Sequence, residues 1–359
     1  MSIKTGVIGC GKVGHFHAKA YAQLPGSEFV GACNHNIKRA EEYAKTYSVQ
    51  PFDSVGEMID RTGIELVSIC TPHLAHAKDA VEAIEHGAHV MIEKPLAITL
   101  RDCDLILNAA EKHNRQVAVT CQRRFYPPCL RIKQAIDDGK IGRPIIASVT
   151  MLGWRDMAYY ASDPWRGSWD QEGGGVLVNQ APHQLDLLLW YMGEIDEVSA
   201  IWDTLNHPNL EVEDTAAAVI RFKNGAIGSI LVTNSVNPAL YGKVHVHGEN
   251  GATLGVQTDG GAMFIAGMSG IAEPPVNDLW TVPGEEGLLA QWKDEDSKMF
   301  HSVDNMYYFH RMQIQDFIEA IGQNRPPLVD GLAGRRTVEL FTAIYVSGRT
   351  HKSIKFPIL

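Results

Sequence analysis

The chain has 359 residues, 45% hydrophobic and 21% charged, an ordinary globular composition with length for roughly two domains. Its formal net charge of −10 excludes the basic face that binding a phosphate backbone needs, so no nucleic-acid partner is expected. With no apolar run of roughly 18 residues and no signal-peptide pattern, the expectation is a cytoplasmic protein with no membrane partner.

An apolar run at residues 3–8 ends in Gly9-Cys10-Gly11-Lys12-Val13-Gly14, and a helical pattern follows over 15–23. Strand, glycine turn and helix start together set a pyrophosphate on unpaired backbone N–H groups at a positive helix end. Gly9 allows the tight turn, Gly11 lets the backbone approach the phosphates, and Gly14 lets helix and strand pack closely. Lys12 and Val13 complete this cradle. Its context favours a dinucleotide over an ordinary glycine-rich turn.

A second strand, 28–33, closes on Asn34, and a helix follows over 37–47. In NAD-selective fingerprints an Asp or Glu near this position bonds the ribose hydroxyls and repels a 2′-phosphate. Asn34 can bond but cannot repel. His35, Lys38 and Arg39 stand close behind, either welcoming a 2′-phosphate or simply solvating a helix start, so NAD and NADP both stay open.

The third strand, 65–70, leads into Thr71-Pro72-His73 and a helix over 75–86 that carries His76. The fourth, 88–92, runs into Glu93-Lys94-Pro95. The fifth, 116–121, follows a helix over 100–113 and ends at Gln122-Arg123-Arg124-Phe125. This alternation implies a doubly wound parallel sheet of the Rossmann type, with ligands beyond the carboxyl ends of the strands, where Asn34, Thr71, Lys94 and Gln122 stand.

Pro127-Pro128 breaks the pattern, placing a dinucleotide-binding domain at 1–125 and an α+β substrate-binding and oligomerisation domain at 126–359. After a helix at 130–138, strands are expected at 145–152, 197–205, 214–222, 226–234 and 243–247, with helices at 182–192, 305–321 and 332–347. Asn224-Gly225 marks a hairpin, and 260–298 reads as loops and short strands. The resulting sheet is large, open and mostly antiparallel. Helices on one face leave the other for a second subunit, so a homodimer or homotetramer is expected. Six scattered cysteines read as reduced, mostly buried hydrophobes.

Two places carry candidate chemistry. Lys94 ends a strand where a nicotinamide would lie, and an ammonium there can serve as base or hydrogen-bond donor at the reacting oxygen; alternatively it is a surface lysine before a turn. The stretch Gly173-Gly174-Gly175 to Asp186 contains Asn179 and His183, which share a helix face if the helix begins at 179 or 180. Spacing alone fits a capped or core His183 as readily as a catalytic one. His245 and His247 alternate on a strand without a carboxylate pair nearby, and no metal is expected.

The amino-terminal glycines, Thr71-Pro72, Glu93-Lys94-Pro95, Arg123-Arg124-Phe125 and the stretch from Gly173 to Asp186, in that order, resemble the Gfo/Idh/MocA oxidoreductase family over essentially the whole chain. The resemblance implies an NAD(P)-dependent enzyme moving a hydride between the nicotinamide and a secondary hydroxyl of a sugar, cyclitol or sugar derivative. Lys94 would polarise the oxygen and His183 would exchange its proton. Asn179 falls where many members have Asp, and Ala181 where many have Gly, so a negative charge supporting an imidazolium is missing. Thr71, Pro72, His76, Glu93, Gln122 and the Trp165–Arg166 pair would line the cofactor. Arg123, Arg124 and Arg155 would join Lys94, Asn179 and His183 at the substrate, which their charge suits to an anionic sugar. Two other activities occur in the family: oxidoreductive glycosidases with no net redox change, and a ligand sensor without catalysis. Retention of Lys94 and His183 counts against the sensor.

Overall fold

The computed structural model describes residues 2–260 and 273–358. By internal contacts it divides into one unit of residues Met1–Gln122 and Met306–Val338, and another of Arg123–Asn305 and Glu339–Leu359. Residues 306–338, expected in the second domain, belong with the first unit.

The first unit is a six-stranded sheet of β1 (Ile3–Ile8), β2 (Ser27–Cys33), β3 (Gln50–Phe52), β4 (Leu66–Ile69), β5 (His89–Ile92) and β6 (Val117–Val119). Its order is β3-β2-β1-β4-β5-β6, every neighbouring pair parallel, the Rossmann arrangement. The order reverses between β1 and β4, which opens a crevice at their carboxyl ends. Helix starts follow their caps: the side chains of Asn36, Ser54 and Thr99 accept from the backbone N–H of Lys38, Glu57 and Asp102. β3 and the helix Val55–Thr62 were not foreseen, being too short for a periodic signal.

The helix Tyr308–Gln323 packs on the first helix, Lys12–Gln23, and puts Ile314, Phe317 and Ala320 into one core with Val7, Tyr21 and Leu24. Gln313, buried in the same helix, donates to the Val119 carbonyl (2.7 Å) and accepts from the Cys121 N–H (3.1 Å). The edge strand β6 thus finds hydrogen-bond partners in a side chain from near the far end of the sequence.

The second unit is an eight-stranded sheet: β7 (Pro144–Leu152), β8 (Ile195–Asp203), β9 (Thr215–Phe222), β10 (Ile227–Thr233), β11 (Tyr241–Gly248), β12 (Thr253–Gly260), β13 (Val276–Trp280) and β14 (Ile354–Lys355). Its order is β13-β12-β11-β7-β10-β9-β8-β14, antiparallel except where β10 runs parallel to β7. Between β9 and β10 the turn is a three-residue loop with Gly225 at φ +87°, as Asn224-Gly225 foretold. The helix Pro182–Met192 packs against β7 and β11. On the opposite face Ile146, Ile201, Val219, Ile227 and Leu231 are exposed.

Two expectations change here. Pro127 and Pro128 begin the helix Pro127–Asp137, where a missing N–H costs nothing, instead of breaking the chain. The stretch 260–298, read as loops and short strands, holds the short strand β13, but its end lies in a 14-residue helix, Leu288–His301, that buries only Asp296 and Phe300; its apolar face is too sparse to read. Part of that stretch, 261–272, lies outside the described residues.

Candidate functional site

In the first unit the three glycines of the opening turn do different work. Gly9 has φ +99°, and a Cβ on it would lie 2.6 Å from the Cys70 carbonyl at the end of β4. A Cβ on Gly14 would lie 2.2 Å from the Gly9 oxygen, whereas one on Gly11 would meet nothing within 4 Å. Gly9 and Gly14 therefore serve the fold, and Gly11 keeps a direction open. No side chain caps the helix that starts at Lys12. Its first N–H groups are offered to an anion, the donor set a pyrophosphate requires.

Beside this turn, a cavity of about 440 Å³ is lined by Asn34, His35, Thr71, Pro72 and Asp79, and a second recess of about 420 Å³ by Gly11, Lys12, His15, Arg39 and Tyr43. Asn34 is buried; its Oδ1 accepts from the Cys10 N–H (3.3 Å) and its Nδ2 donates to the Asn36 carbonyl (3.2 Å). His35, Lys38 and Arg39 are exposed, and Val13 is half-buried. Thr71 donates its hydroxyl to Asp79 (2.9 Å). Gln122 ends the unit, with its Oε1 buried and, among the described residues, without a hydrogen-bond partner. These residues fit a dinucleotide: open donors at the turn, a polar cavity at the strand ends and an acceptor left over. Burial pushes the Cys10 thiol up to about 12, so the cysteine beside the turn stays protonated.

Lys94 follows β5 and is half-buried. Its two neighbours are gripped from below. The Glu93 carboxylate is bonded by His17 Nε2 at 2.9 Å, and its acidity is held at about 2: burial opposes ionisation, but the bond and charge of His17, with His310 and Lys94 nearby, outweigh it. His76 is fully buried, with Nδ1 2.9 Å from the Pro95 carbonyl and Nε2 2.9 Å from the Thr71 carbonyl. Burial lowers its pKa. Glu93 and His76, expected at the cofactor, thus turn inward. His17, Glu93 and His310 have ligand atoms within 4.8 Å of one another and could hold a cation, although His17 and Glu93 already use theirs on each other. The signal for His17 was available: it follows Gly14 by three residues, on the second turn of the helix and on the face that packs inward.

In the second unit His183 is buried in the first turn of the helix Pro182–Met192. That turn is held from both sides. Asp186 receives Arg124 in a buried bidentate pair, Nε and Nη2 at 2.7 and 2.6 Å. Gln184 donates to Asp259 (2.8 Å), which also pairs with Arg123 at 2.7 Å. Arg123 and Arg124, expected at the substrate, are committed to internal carboxylates. Asn179 does not share the His183 helix. It ends a separate short helix, Val176–Asn179, because Pro182 starts a new one.

Asn179 instead joins a network that sequence reasoning missed. Its amide donates to Glu172 and to the Tyr159 hydroxyl (3.2 Å), and Gln180 donates to the same hydroxyl (2.9 Å). Arg166 stacks between the rings of Tyr159 and Trp165, 4.2 and 4.4 Å from their centroids. Arg155 lies over the other part of this group, 5.1 Å from the Tyr159 ring. The order Glu172-Gly173 was the available signal.

The glycines at 173–175 are structural. Gly173 (φ +86°) ends a short helix, and a Cβ on Gly175 would lie 1.8 Å from the Glu213 carbonyl oxygen. The Glu213 side chain, wholly buried, accepts from the N–H groups of Gly175 and Leu177 and from Tyr345, each at 2.9 Å. Burial nevertheless pushes its pKa up to about 7. His245 and His247 bond Asp278 and Thr253.

Comparison with known proteins agrees with this geometry. Residues 3–121 match the model of an oxidoreductase family with an NAD-binding Rossmann fold, and residues 129–254 match the Gfo/Idh/MocA carboxyl-terminal domain. The chain belongs to the Gfo/Idh/MocA family. This NAD-binding oxidoreductase is 25% identical to a scyllo-inositol 2-dehydrogenase (NAD(+)) of Bacillus subtilis (strain 168), over 99% of this chain and 97% of that one. It is 24% identical to a myo-inositol 2-dehydrogenase of Thermotoga maritima, over 98% of each. Among solved structures, the WlbA dehydrogenase from Bordetella pertussis, in complex with NADH and UDP-GlcNAcA, is 28% identical, with a TM-score of 0.87 over 100% of this chain and 99% of that one. No helix among the described residues is long and apolar enough to cross a membrane.

Proposed function

We propose that this chain is an NAD-dependent dehydrogenase that oxidises a secondary CH–OH of a sugar, cyclitol or sugar derivative, reversibly. The observation that carries the reading is the uncapped helix start beside the open side of Gly11, in a chain that aligns end to end with inositol dehydrogenases and a sugar-nucleotide dehydrogenase. Bound NAD(H) supplies the hydride acceptor or donor. The turn 9–14 binds its phosphates, and Asn34 takes the ribose. His183 exchanges the hydroxyl proton, and Lys94 supports the oxygen as its charge changes. The buried charge pairs at Asp186 and Asp259 keep the His183 turn in place, so little reorganisation accompanies proton transfer.

Arg155, and Arg166 with its Nε on Asp163 at 3.2 Å, would supply the positive charge for an anionic substrate, and a carboxylated sugar nucleotide is the first substrate to try. The test is nicotinamide absorbance with purified protein against UDP-GlcNAcA, free uronates, cyclitols and neutral sugars. With the substrate found, Lys94→Ala and His183→Ala should each lower turnover roughly 10²-fold or more while NADH affinity changes little. The double variant should lose much less than the product of the two. Near-normal turnover in either single variant refutes these roles.

A further inference from the structure

The residues on either side of Lys94 are each bonded to a buried histidine, and the bonds account for one another. Glu93 is ionised and can only accept, so His17 Nε2 carries a hydrogen toward it. His17 Nδ1 lies 2.8 Å from the Ser68 hydroxyl, which lies 2.6 Å from the Tyr21 hydroxyl. Burial raises the Tyr21 pKa, so that group stays protonated. A continuous row of hydrogen-bonded groups thus joins Tyr21, Ser68, His17 and Glu93, with Nε2–H donating to the carboxylate. The row begins in the core and ends at the carboxylate beside Lys94. On the other side His76, wholly buried, lies between two main-chain acceptors, with Nδ1 2.9 Å from the Pro95 carbonyl and Nε2 2.9 Å from the Thr71 carbonyl, and its Nδ1–H tautomer donates to Pro95. Glu93 itself closes the β4–β5 ladder, its N–H donating to the Ile69 carbonyl at 3.0 Å. Main chain before Lys94, side chain before it and main chain after it are therefore all fixed to buried groups.

We propose that His17, acting through Glu93, and His76, acting through the Pro95 carbonyl, are positioning residues that hold Lys94 where it works. The role of Lys94 at the reacting oxygen rests on the function proposed above; the grip of the two histidines on its loop does not.

The experiment separates the two. Full-length protein is treated briefly with acetic anhydride, and the labelling rate of Lys94 is read by mass spectrometry against the exposed Lys298 as internal reference. His17→Phe and His76→Phe remove the bonds. Glu93→Leu removes the acceptor at similar volume, and His17→Gln keeps a donor pointing at Glu93. Release of the loop should raise Lys94 labelling at least about fivefold in His17→Phe, His76→Phe and Glu93→Leu, with the His17→Gln rate within about twofold of wild type. In the same variants kcat for the substrate found by the panel should fall at least about tenfold with NADH affinity changed less than about threefold. A merely structural histidine would lower stability and move neither the labelling ratio nor the kcat split. Lys94 labelling within about twofold of wild type in Glu93→Leu and in whichever Phe variants fold overturns the proposal. Normal turnover of Lys94→Ala with raised labelling in these variants would instead overturn the role of Lys94 and leave the grip standing.

Discussion

Substituting the glycines of the opening turn one at a time should separate fold from function. Gly11 has φ −94° and ψ −172°, a conformation open to any residue, and its missing side chain points into empty space. Gly11→Val should therefore fold, with stability reduced by about 1 kcal/mol or less as a poorer cap. The valine would occupy the approach to the uncapped N–H groups. Keeping the pyrophosphate from two of them removes charge-assisted bonds of about 1.5–2 kcal/mol each, so NADH binding should weaken by roughly 3–4 kcal/mol, several-hundred-fold. Gly14→Ala is the opposite case. Its Cβ would sit 2.2 Å from a backbone oxygen, so the helix must move off the turn, at a cost of about 3 kcal/mol or more. NADH fluorescence titration and urea unfolding measure the two quantities. If Gly11→Val binds NADH within threefold of wild type, or Gly14→Ala is as stable as wild type, the division is refuted.

Asn34→Asp would place a carboxylate at the ribose and lose the bond to the Asn36 carbonyl, so NADP affinity should fall at least about tenfold relative to NAD; an unchanged ratio in paired titrations counts against it. Glu213 titrates at about 7 when folded against its ordinary 4.5. Its protonation favours the fold, an effect complete below about pH 4.5 and lost as pH rises through 7, so wild type should gain about 2 kcal/mol over Glu213→Gln between pH 7.5 and pH 5.5. Equal pH slopes in urea unfolding would contradict this. The exposed apolar face around Val219 and Ile201 should pair with a second copy: light scattering should give a dimer or tetramer, and Ile201→Lys with Val219→Lys should yield monomers. A monomeric wild type at micromolar concentration would refute it.

Much of the fold was legible because it is written locally. The run from Ile3 to Ile8, the glycines after it and the Asn-Gly turn each state their conformation within a few residues. The short pieces were not: β3 and the helix Val176–Asn179 hold fewer residues than one period of a pattern needs to repeat. Site chemistry was legible by residue type and illegible by direction. Arg124 and Arg166 look alike in sequence, yet one is locked to Asp186 and the other stacks on two aromatic rings. Only a partner 62 positions away decides the first case. The glycines before Val176 read as part of a ligand motif because nothing nearby announces that Glu213 closes on them.

The composition of the first unit also has a bearing on synthesis. Its core lacks Ile314, Phe317 and Ala320, and its edge strand lacks Gln313, until residues 306–338 have left the ribosome. At about 5–20 residues per second, translation of residues 123–305 delays that moment by roughly 10–40 s. Throughout this interval the nascent Rossmann sheet presents an apolar helix face and an unpaired edge, while the second unit still awaits residues 339–359. Neither unit can be completed before its own closing segment, 306–338 for the first and 339–359 for the second, has been made, so both finish folding in the same short window, and a ribosome stalled before residue 306 leaves two incomplete cores for chaperones to shield.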